Sequence, residues 1–253
     1  FGSVTSAQST AWFDINQSYK SGLELFEKAK YAAASAQFAH VEELFLVPST
    51  QSADQKQASL LKENAQYYQA VCALELGNQD AESLFLKFIK EYPASANTKS
   101  AYFQVGRFYF NQKNYPKTIE WFSKIDANSL TAKESAEYRF KLAYSYFNGK
   151  EYARAEPLFA KLKDEKTELS EPAIYYYAYI NYMDTDYQTA LQEFERLKGS
   201  KTYQNSYPYF ISALYFLNKR YDEVLSYTIP AIQNIDEQYK AEMYRIVGAT
   251  YFA

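Results

Sequence analysis

The chain has 253 residues and a formal net charge of -3. It contains 27 tyrosines but only 7 glycines and 7 prolines, a composition that suits close-packed helices with short turns and argues against disorder. The slightly acidic balance supplies no basic stripe, so we expect no nucleic-acid partner. The single cysteine excludes an intramolecular disulfide, and no apolar run approaches the roughly 18 residues that span a bilayer, so no transmembrane segment is predicted.

Residues 1–13 open with the small, polar stretch FGSVTSAQST, which has no helical period. We predict a disordered leader or the remnant of a secretory signal, because Thr5-Ser6-Ala7 resembles a small-x-small cleavage site. A tag remnant is a third possibility. The repeated part of the chain is predicted to begin at residue 14.

The clearest helical hairpin occupies residues 99–127. Apolar residues recur at three- and four-residue spacing on both sides of the polar break Gln112-Lys113-Asn114, which predicts two amphipathic helices joined by a tight turn. Asn114 is placed to cap the second helix, and Pro116 falls in the first turn, where a missing amide donor costs nothing. A hairpin of this size cannot cover its own apolar face, so it requires similar neighbours.

The aromatic residue that opens the second helix recurs along the chain, at Tyr31, Tyr115, Tyr152, Tyr187 and Tyr221. A further copy, with its turn at Leu76-Gly77-Asn78 and one residue fewer, lies between the first two. This recurrence predicts six hairpins, at residues 14–46, 55–93, 99–127, 132–163, 171–198 and 207–234, and a terminal helix at 236–253. Such units bury their core only between neighbours, so residues 14–253 are predicted to form a single all-α solenoid of antiparallel helix pairs.

Small and large residues also recur in register with this aromatic. Three residues after it stands a small or modest side chain, and four further on a large one, in the pairs Ala34 and Phe38, Ala81 and Phe85, Thr118 and Phe122, Ala155 and Phe159, and Ala190 and Phe194; Val224 is the small residue of the last copy. Another small residue stands nine positions before the aromatic, at Gly22, Gly106, Ala143, Ala178 and Ser212. Small residues let two backbones approach closely, and the large ones are predicted to fill the gap between successive hairpins.

This pattern resembles the tetratricopeptide repeats, and the resemblance covers residues 15–253. It implies a right-handed superhelical solenoid whose first helices line a concave face. Residues 86–125 and 137–162 are more specifically similar to the periplasmic repeat proteins of the BamD and YbgF kind, through the Tyr92-Pro93 junction. That similarity implies export to the periplasm or association with an outer-membrane complex in a bacterial envelope; a cytoplasmic location is the alternative.

Two further stretches carry expectations of their own. The Ser-, Gln- and Pro-rich loop at 46–55 is the longest interruption and the predicted hinge. The terminal helix carries Met243, Ile246, Val247, Tyr251 and Phe252, more apolar surface than one polar-faced cap requires. We expect either a parent protein that continues with more repeats or a last helix that exposes a few side chains.

Nothing in the sequence predicts catalysis, a cofactor or a metal site. The one histidine, His40, has no catalytic or ligand partner nearby in the sequence, so a solvated or edge position is favoured. Cys72 lies among apolar residues and is predicted to be a buried structural thiol. Asp184-Thr185-Asp186 lacks the glycine and glutamate of a calcium loop and is predicted to be a turn in which Asp186 caps the next helix.

The candidate functional site is an aromatic concave groove implied by the repeat resemblance. Its fifth helix positions are Tyr19, Tyr67, Phe103, Phe140, Tyr175 and Tyr209, and its ninth positions include Arg107, Tyr144 and Tyr179. The twelfth positions, Phe26, Leu74, Phe110, Phe147, Tyr182 and Phe216, are better explained by packing between hairpins. We predict that the fifth-position rings are open binding anchors, so that Tyr175→Ala weakens partner binding with little effect on folding.

Three functions remain open at this point. The favoured one is a non-enzymatic scaffold that binds a peptide segment of a protein partner in the groove, with Arg107 or Lys141 supplying charge complementarity. The second is an exported glycan binder, because flat aromatic faces also stack on sugar rings. The third is a structural spacer, part of a longer repeat array, which predicts that the aromatic rows are buried between hairpins.

Overall fold

The computed structural model of the chain describes the backbone of residues 2–46 and 55–253, and the side chains of that set apart from residues 2–11, 55 and 129. The described residues form helices and turns, which confirms the all-α class. They divide into two compact units, Phe1–Ser129 and Leu130–Ala253. The loop predicted as a hinge lies almost wholly at 47–54, outside the described residues.

The first unit contains three helix pairs. They are α1 (Gly2–Glu27) with α2 (Tyr31–Leu44), α3 (Gln55–Glu75) with α4 (Ala81–Glu91), and α5 (Ala96–Asn111) with α6 (Tyr115–Phe122). Two helices begin earlier than the sequence predicts. Residues 2–13, predicted as a leader, continue α1, because no glycine or proline interrupts the chain between residues 3 and 21. Ser95 caps α5, accepting a hydrogen bond from the Asn97 amide at 3.1 Å.

The second unit contains two regular pairs, one irregular pair and a last helix. They are α7 (Ala132–Asn148) with α8 (Tyr152–Leu162), α9 (Ser170–Met183) with α10 (Tyr187–Glu195), and α11 (Tyr207–Leu217) with a broken arm, followed by α14 (Glu237–Thr250). The broken arm runs through α12 (Tyr221–Glu223), a π-helical turn (Val224–Thr228), α13 (Ile229–Ala231) and a 3₁₀ turn (Ile232–Asn234). Pro230 accounts for the break, since it has no amide to donate to the preceding turn.

Every described helix pair turns through one residue of left-handed backbone. Its φ lies between 53° and 70°, and the six residues are Ala29, Gly77, Lys113, Lys150, Thr185 and Lys219. In the third pair the Asn114 amide donates to the Tyr109 carbonyl and the Lys113 amide to the Phe110 carbonyl, both at 2.9 Å, the bonds of a Schellman ending. The turn predicted at Asn148-Gly149 differs in one detail, because Lys150 rather than Gly149 takes the left-handed conformation.

The small and large positions are buried. The large residues pack onto the small residue of their own pair, which was not predicted, and Phe38, Phe159 and Phe194 also stack on a ring of the next pair, as the sequence predicts. The small first-helix positions are all buried: Gly22, Ala70, Gly106, Ala143, Ala178 and Ser212. A Cβ added at Gly106 would stand 2.1 Å from the Phe122 ring, and one at Gly22 would stand 2.6 Å from Phe38. The large residues of the second helices are fully buried as well. These contacts set how closely the two helices of a pair approach.

Candidate functional site

The rings predicted to line an open groove are largely covered. Of the fifth-position residues, Tyr67 is 7% exposed and Phe103 is 3% exposed. The others are half-buried: Tyr19, Phe140, Tyr175 and Tyr209. Arg107, Tyr144 and Tyr179 are half-buried too. The sequence therefore located rings on the first helices but did not reveal how much of each ring is covered.

In the second unit, a tyrosine from the next element covers two of these rings. Tyr203, in the loop before α11, stacks on Tyr175 with ring centroids 4.6 Å apart and planes 15° apart. Tyr239 of α14 stacks on Tyr209 at 4.9 Å and 19°. Both stacks place a ring face where an open groove was predicted, so the covered rings present mainly their edges and hydroxyl groups.

Tyr175 is also part of the core, which reverses one expectation. Besides the stack with Tyr203, its ring makes edge contacts with Phe194 and Phe210, with ring centroids 5.8 Å and 6.0 Å away. Removing that ring would leave a cavity between two helix pairs. The expectation that Tyr175→Ala leaves folding almost unchanged is therefore wrong for this packing.

The twelfth-position residues pack between helix pairs, as the sequence analysis favoured. The ring centroid of Phe147 on α7 lies 4.9 Å from that of Tyr176 and 5.4 Å from that of Tyr179, both on α9. The ring centroid of Tyr182 on α9 lies 5.7 Å from that of Phe210 on α11. These contacts make successive pairs of the second unit share one aromatic core.

Half-buried tyrosines joined by ring contacts nevertheless form a cluster on the second unit, which we call the tyrosine face. Its members are Tyr144, Tyr175, Tyr176, Tyr179, Tyr182, Tyr203, Tyr209 and Tyr239. They come from α7, α9, α11, α14 and the loop before α11. Each of these rings contacts either another ring of the set or Phe210, which contacts other members in turn. The tyrosine face thus combines apolar ring surface with a row of hydroxyl groups.

Three of the tyrosine hydroxyl groups stay protonated at neutral pH. Burial raises the pKa of Tyr175, Tyr203 and Tyr209 to about 12, with neighbouring tyrosines adding to the effect. A neutral phenol both donates and accepts, so the tyrosine face can pair with amide N–H and C=O groups of a ligand.

Charged groups of both signs lie near the tyrosine face. The charge of Glu171 acts on the Tyr203 hydroxyl, and the charge of Glu242 acts on the Tyr182 and Tyr209 hydroxyls. Arg245 also acts on Tyr209, and it is paired with Glu242 at 2.8 Å on the same helix. The charges of Glu242 and Arg245 offset each other, which leaves Glu171 as an acidic group at the rim.

A cluster of hydrogen bonds around one carboxylate in the first unit, which we call the Glu82 cluster, was missed by the sequence analysis. Glu82 of α4 accepts hydrogen bonds from the Tyr109 hydroxyl at 2.6 Å, Lys117 Nζ at 2.7 Å and Trp121 Nε1 at 3.1 Å. Burial alone would raise the pKa of Glu82, but these hydrogen bonds outweigh burial and lower it. The Glu82 cluster joins two helix pairs, and only the position of Glu82, one residue after the small Ala81, hinted at it.

The residues examined for catalysis take the positions predicted for them. His40 is exposed on α2, with Nδ1 3.2 Å from Glu43 Oε2. Cys72 is fully buried, and burial, followed by Glu75, raises the pKa of its thiol to about 11. Asp186 caps α10, accepting from the Thr189 amide at 3.1 Å. Among the described side chains, no three of His, Cys, Asp and Glu lie together as a metal-binding group.

No helix within residues 2–46 and 55–253 is both long enough and apolar enough to cross a membrane. This finding agrees with the absence of a long apolar run in the sequence.

Comparison with known proteins yields matches to one repeat type. A profile of the tetratricopeptide repeat matches residues 64–95, which span α3 and α4, and residues 137–165, which span α7 and α8. The crystal structure of the P58(IPK) TPR domain is similar at 17% identity and a TM-score of 0.38, covering 94% of this chain and 64% of that chain. This chain thus spans less than two thirds of that structure. No curated protein matches significantly. The finer resemblance to the BamD and YbgF kind stays a prediction. The two matched segments are similar to the tetratricopeptide repeat, one lies in each unit, and together they cover less than half of the chain.

Proposed function

We propose that this chain is a non-enzymatic scaffold that binds an extended peptide segment of a protein partner on the tyrosine face. Tetratricopeptide repeats serve in general as protein-binding scaffolds, which supports the broad class. The observation that carries the finer proposal is the cluster of half-buried tyrosines on α7, α9 and α11, in which burial keeps the Tyr175 and Tyr209 hydroxyls protonated. Five of the predicted groove residues lie in the second unit, namely Phe140, Tyr144, Tyr175, Tyr179 and Tyr209.

Physical chemistry favours an extended peptide on such a surface. A tyrosine ring offers a large contact area with few rotatable bonds, and its hydroxyl satisfies one polar group of the ligand. An extended peptide exposes alternating side chains and unpaired amides, so it can use both the ring edges and the hydroxyl row. The Glu171 carboxylate at the rim favours a lysine or arginine at one end of the bound segment, whereas Glu242 is already paired with Arg245.

A direct test is selection of a random 12-residue displayed-peptide library on the 253-residue chain, with synthetic versions of enriched peptides titrated afterwards. We expect Tyr179→Leu, which keeps apolar volume, to weaken binding at least about tenfold, the size of a hot-spot loss. The matched control is Tyr221→Leu, a half-buried tyrosine on a second helix of the same unit. Thermal melts of both variants separate lost binding from lost folding. Enriched peptides that bind the Tyr179→Leu chain as tightly as the original would contradict the proposal.

One observation favours a second candidate, the structural spacer. Tyr203 and Tyr239 already cover two fifth-position rings from within the chain. If the library yields no peptide above background, the spacer gains support. Glycan binding is tested by applying the same protein to immobilised oligosaccharides. Binding that is lost in Tyr179→Leu would favour a glycan binder and replace the peptide proposal.

The cellular setting is a separate proposal. We infer a role in bacterial envelope assembly, in the periplasm or at an outer-membrane complex, and its support is the similarity of residues 86–125 and 137–162 to periplasmic repeat proteins. Cell fractionation with an antibody against the chain tests it. Recovery in the cytoplasmic fraction alone would overturn this location and leave the binding proposal intact.

A further inference from the structure

Three glutamates from successive helices lie near one another in the first unit, and we call them the acidic patch. They are Glu42 of α2, Glu63 of α3 and Glu91 of α4; the first two are half-buried and the third is exposed. The Tyr92 hydroxyl donates to Glu91 Oε1 at 3.0 Å. Burial, followed by that hydrogen bond and the charges of all three glutamates, raises the pKa of the Tyr92 hydroxyl. The three carboxylates therefore share one region of the surface.

The acidic patch receives little positive charge from the chain itself. The nearest cation, Lys62, has its Nζ atom 3.9 Å from Glu91 Oε1, which is a long ion pair. The other two carboxylates are bonded to neutral groups, because Gln66 Nε2 donates to Glu42 at 3.2 Å and the Ser95 hydroxyl donates to Glu63. The residues whose side chains are not described include no lysine or arginine. A cation that pairs with Glu42 and Glu63 is therefore one that another molecule supplies.

Gln66 adds an independent feature, a buried acceptor directed at the acidic patch. It is 8% exposed, and its bond to Glu42 points its amide toward the carboxylates. The Oε1 atom of that amide is buried and has no hydrogen-bond partner among the described residues. A buried acceptor without a donor costs free energy, so a ligand that brings N–H groups to Glu42 and Gln66 together is favoured there.

We propose that the acidic patch binds the guanidinium group of an arginine residue in a peptide segment of a partner protein, with Glu42, Glu63 and Gln66 as acceptors. A guanidinium carries five N–H donors in a planar fork, so it can pair with acceptors that lie apart from one another. A metal ion or an ammonium group requires acceptors around one point. Among the described residues, no three of His, Cys, Asp and Glu converge in that way. The arrangement of acceptors thus favours arginine over lysine and over a metal ion.

The acidic patch should prefer an arginine within a peptide to the free amino acid. Free arginine carries its own carboxylate, which the three glutamates repel, whereas a peptide backbone is neutral. Because one side chain makes few contacts, we expect a dissociation constant of the order of 1 mM for a single blocked arginine. The acidic patch lies in the first unit and the tyrosine face in the second, so this site does not rest on the peptide proposal made above.

Nuclear magnetic resonance titration of the isotope-labelled 253-residue chain with N-acetyl-arginine methylamide, up to about 20 mM, tests this site. We expect the side-chain amide signals of Gln66 to shift and to saturate. Free arginine and N-acetyl-lysine methylamide should bind at least about fivefold more weakly, and the uncharged N-acetyl-citrulline methylamide should not bind. An unchanged Gln66 amide at the highest concentration, or equal binding of the lysine probe, would overturn the proposal.

Substitutions distinguish contact at the acidic patch from the general negative charge of the chain. Glu42→Gln and Glu63→Gln should each weaken binding of the arginine probe at least about threefold, and Gln66→Leu should reduce the preference for arginine over lysine. The matched controls are Glu43→Gln, at an exposed carboxylate next to Glu42, and Gln69→Leu, at a half-buried glutamine of α3, which should change neither quantity. Thermal melts show whether each variant folds. Unchanged arginine binding in the Glu42→Gln, Glu63→Gln double variant would contradict this site and leave the tyrosine-face proposal intact.

Discussion

One joint between helix pairs in the first unit is made by a carboxylate, and one joint in the second unit is made by stacked rings. Each unit also has a joint of the other kind, the Phe38 and Tyr68 stack in the first and the Lys163 and Glu193 ion pair in the second. In the first unit, Glu82 of α4 accepts hydrogen bonds from Tyr109, Lys117 and Trp121 of the next pair. In the second, Phe194 of α10 lies parallel to Phe210 of α11, with centroids 4.7 Å apart and planes 1° apart. Both joints connect the second helix of one pair to the pair that follows.

The difference shows that one repeat geometry admits two kinds of chemistry at the same joint. A carboxylate makes directional hydrogen bonds that are strong only while it is ionised, so its contribution to folding stability depends on pH. Stacked rings stabilise through contact area and shape, so their contribution to folding stability depends on how well they pack. The second unit also has a tyrosine to glutamate bond, from Tyr215 to Glu195 at 2.6 Å, but rings supply most of its joint. Four substitutions test this contrast.

The largest effect is expected for Phe210→Ala in the second unit. Phe210 is 5% exposed and touches rings on α9, α10, α11 and α14. Loss of a buried phenylalanine typically costs about 3–5 kcal/mol in unfolding free energy. Urea denaturation followed by circular dichroism measures it, with Leu217→Ala, at a 41% exposed residue of the same helix, as the control. Equal losses in the two variants would mean that ring contacts do not hold this joint.

A smaller effect is expected for Glu82→Gln in the first unit. The amide keeps the shape but gives up the charge-assisted bonds from Lys117 and Tyr109, at a cost of about 1–2 kcal/mol in unfolding free energy. Because the folded pKa of Glu82 is lowered, its stabilisation is present above the ordinary value of about 4.3 and is lost as pH falls through the folded value. The original chain should therefore lose its advantage over Glu82→Gln in acid. Glu120→Gln, at an exposed carboxylate, is the control, and a constant gap between pH 7 and acid would contradict the role of Glu82.

The ring-stacked joint should respond to alkali instead. Burial raises the folded pKa of Tyr175 to about 12, so its stabilisation is complete below the ordinary value near 10 and is lost as pH rises toward 12. Tyr175→Phe cannot ionise, so between those values it should gain about 1 kcal/mol relative to the original chain. Melting curves at pH 9 and 11 measure the gap. The control is Tyr244→Phe, at an exposed tyrosine, which should show no such gain in stability. Equal gains in the two variants would mean that burial of Tyr175 does not cause the effect.

The smallest effect concerns the left-handed residues of the turns within helix pairs. At one of these turns the first unit has a glycine, Gly77, whereas the three turns within pairs of the second unit have none, and one of them places Thr185 there with φ 64°. A β-branched residue is strained in this conformation, so Thr185→Gly should stabilise the second unit by about 0.5–1 kcal/mol. The reverse change, Gly77→Thr, should destabilise the first unit by at least as much. Hydrogen exchange of the two helix pairs reads out each change locally, and opposite signs would refute the strain argument.

Much of the fold followed from spacing along the chain. The repeat spacing identified Gly106 and Phe122 as closely packed positions, whereas their contact with each other within one pair is a finding of the structure. The candidate site followed less well. The helical period located Tyr175 on its helix face, but the ring that covers it, Tyr203, comes from an irregular loop that no repeat position predicts.

The sequence by itself determined the helix pairs, their turns and the small and large residues that join them, because these depend on contacts between residues close in the chain. Only the tertiary structure decided which rings stay accessible, where Glu82 finds its three donors, and that Gln66 Oε1 is buried without a hydrogen-bond partner among the described residues. Those features depend on residues from different helix pairs or on irregular loops, and side-chain coverage of that kind is set by the packing of whole elements.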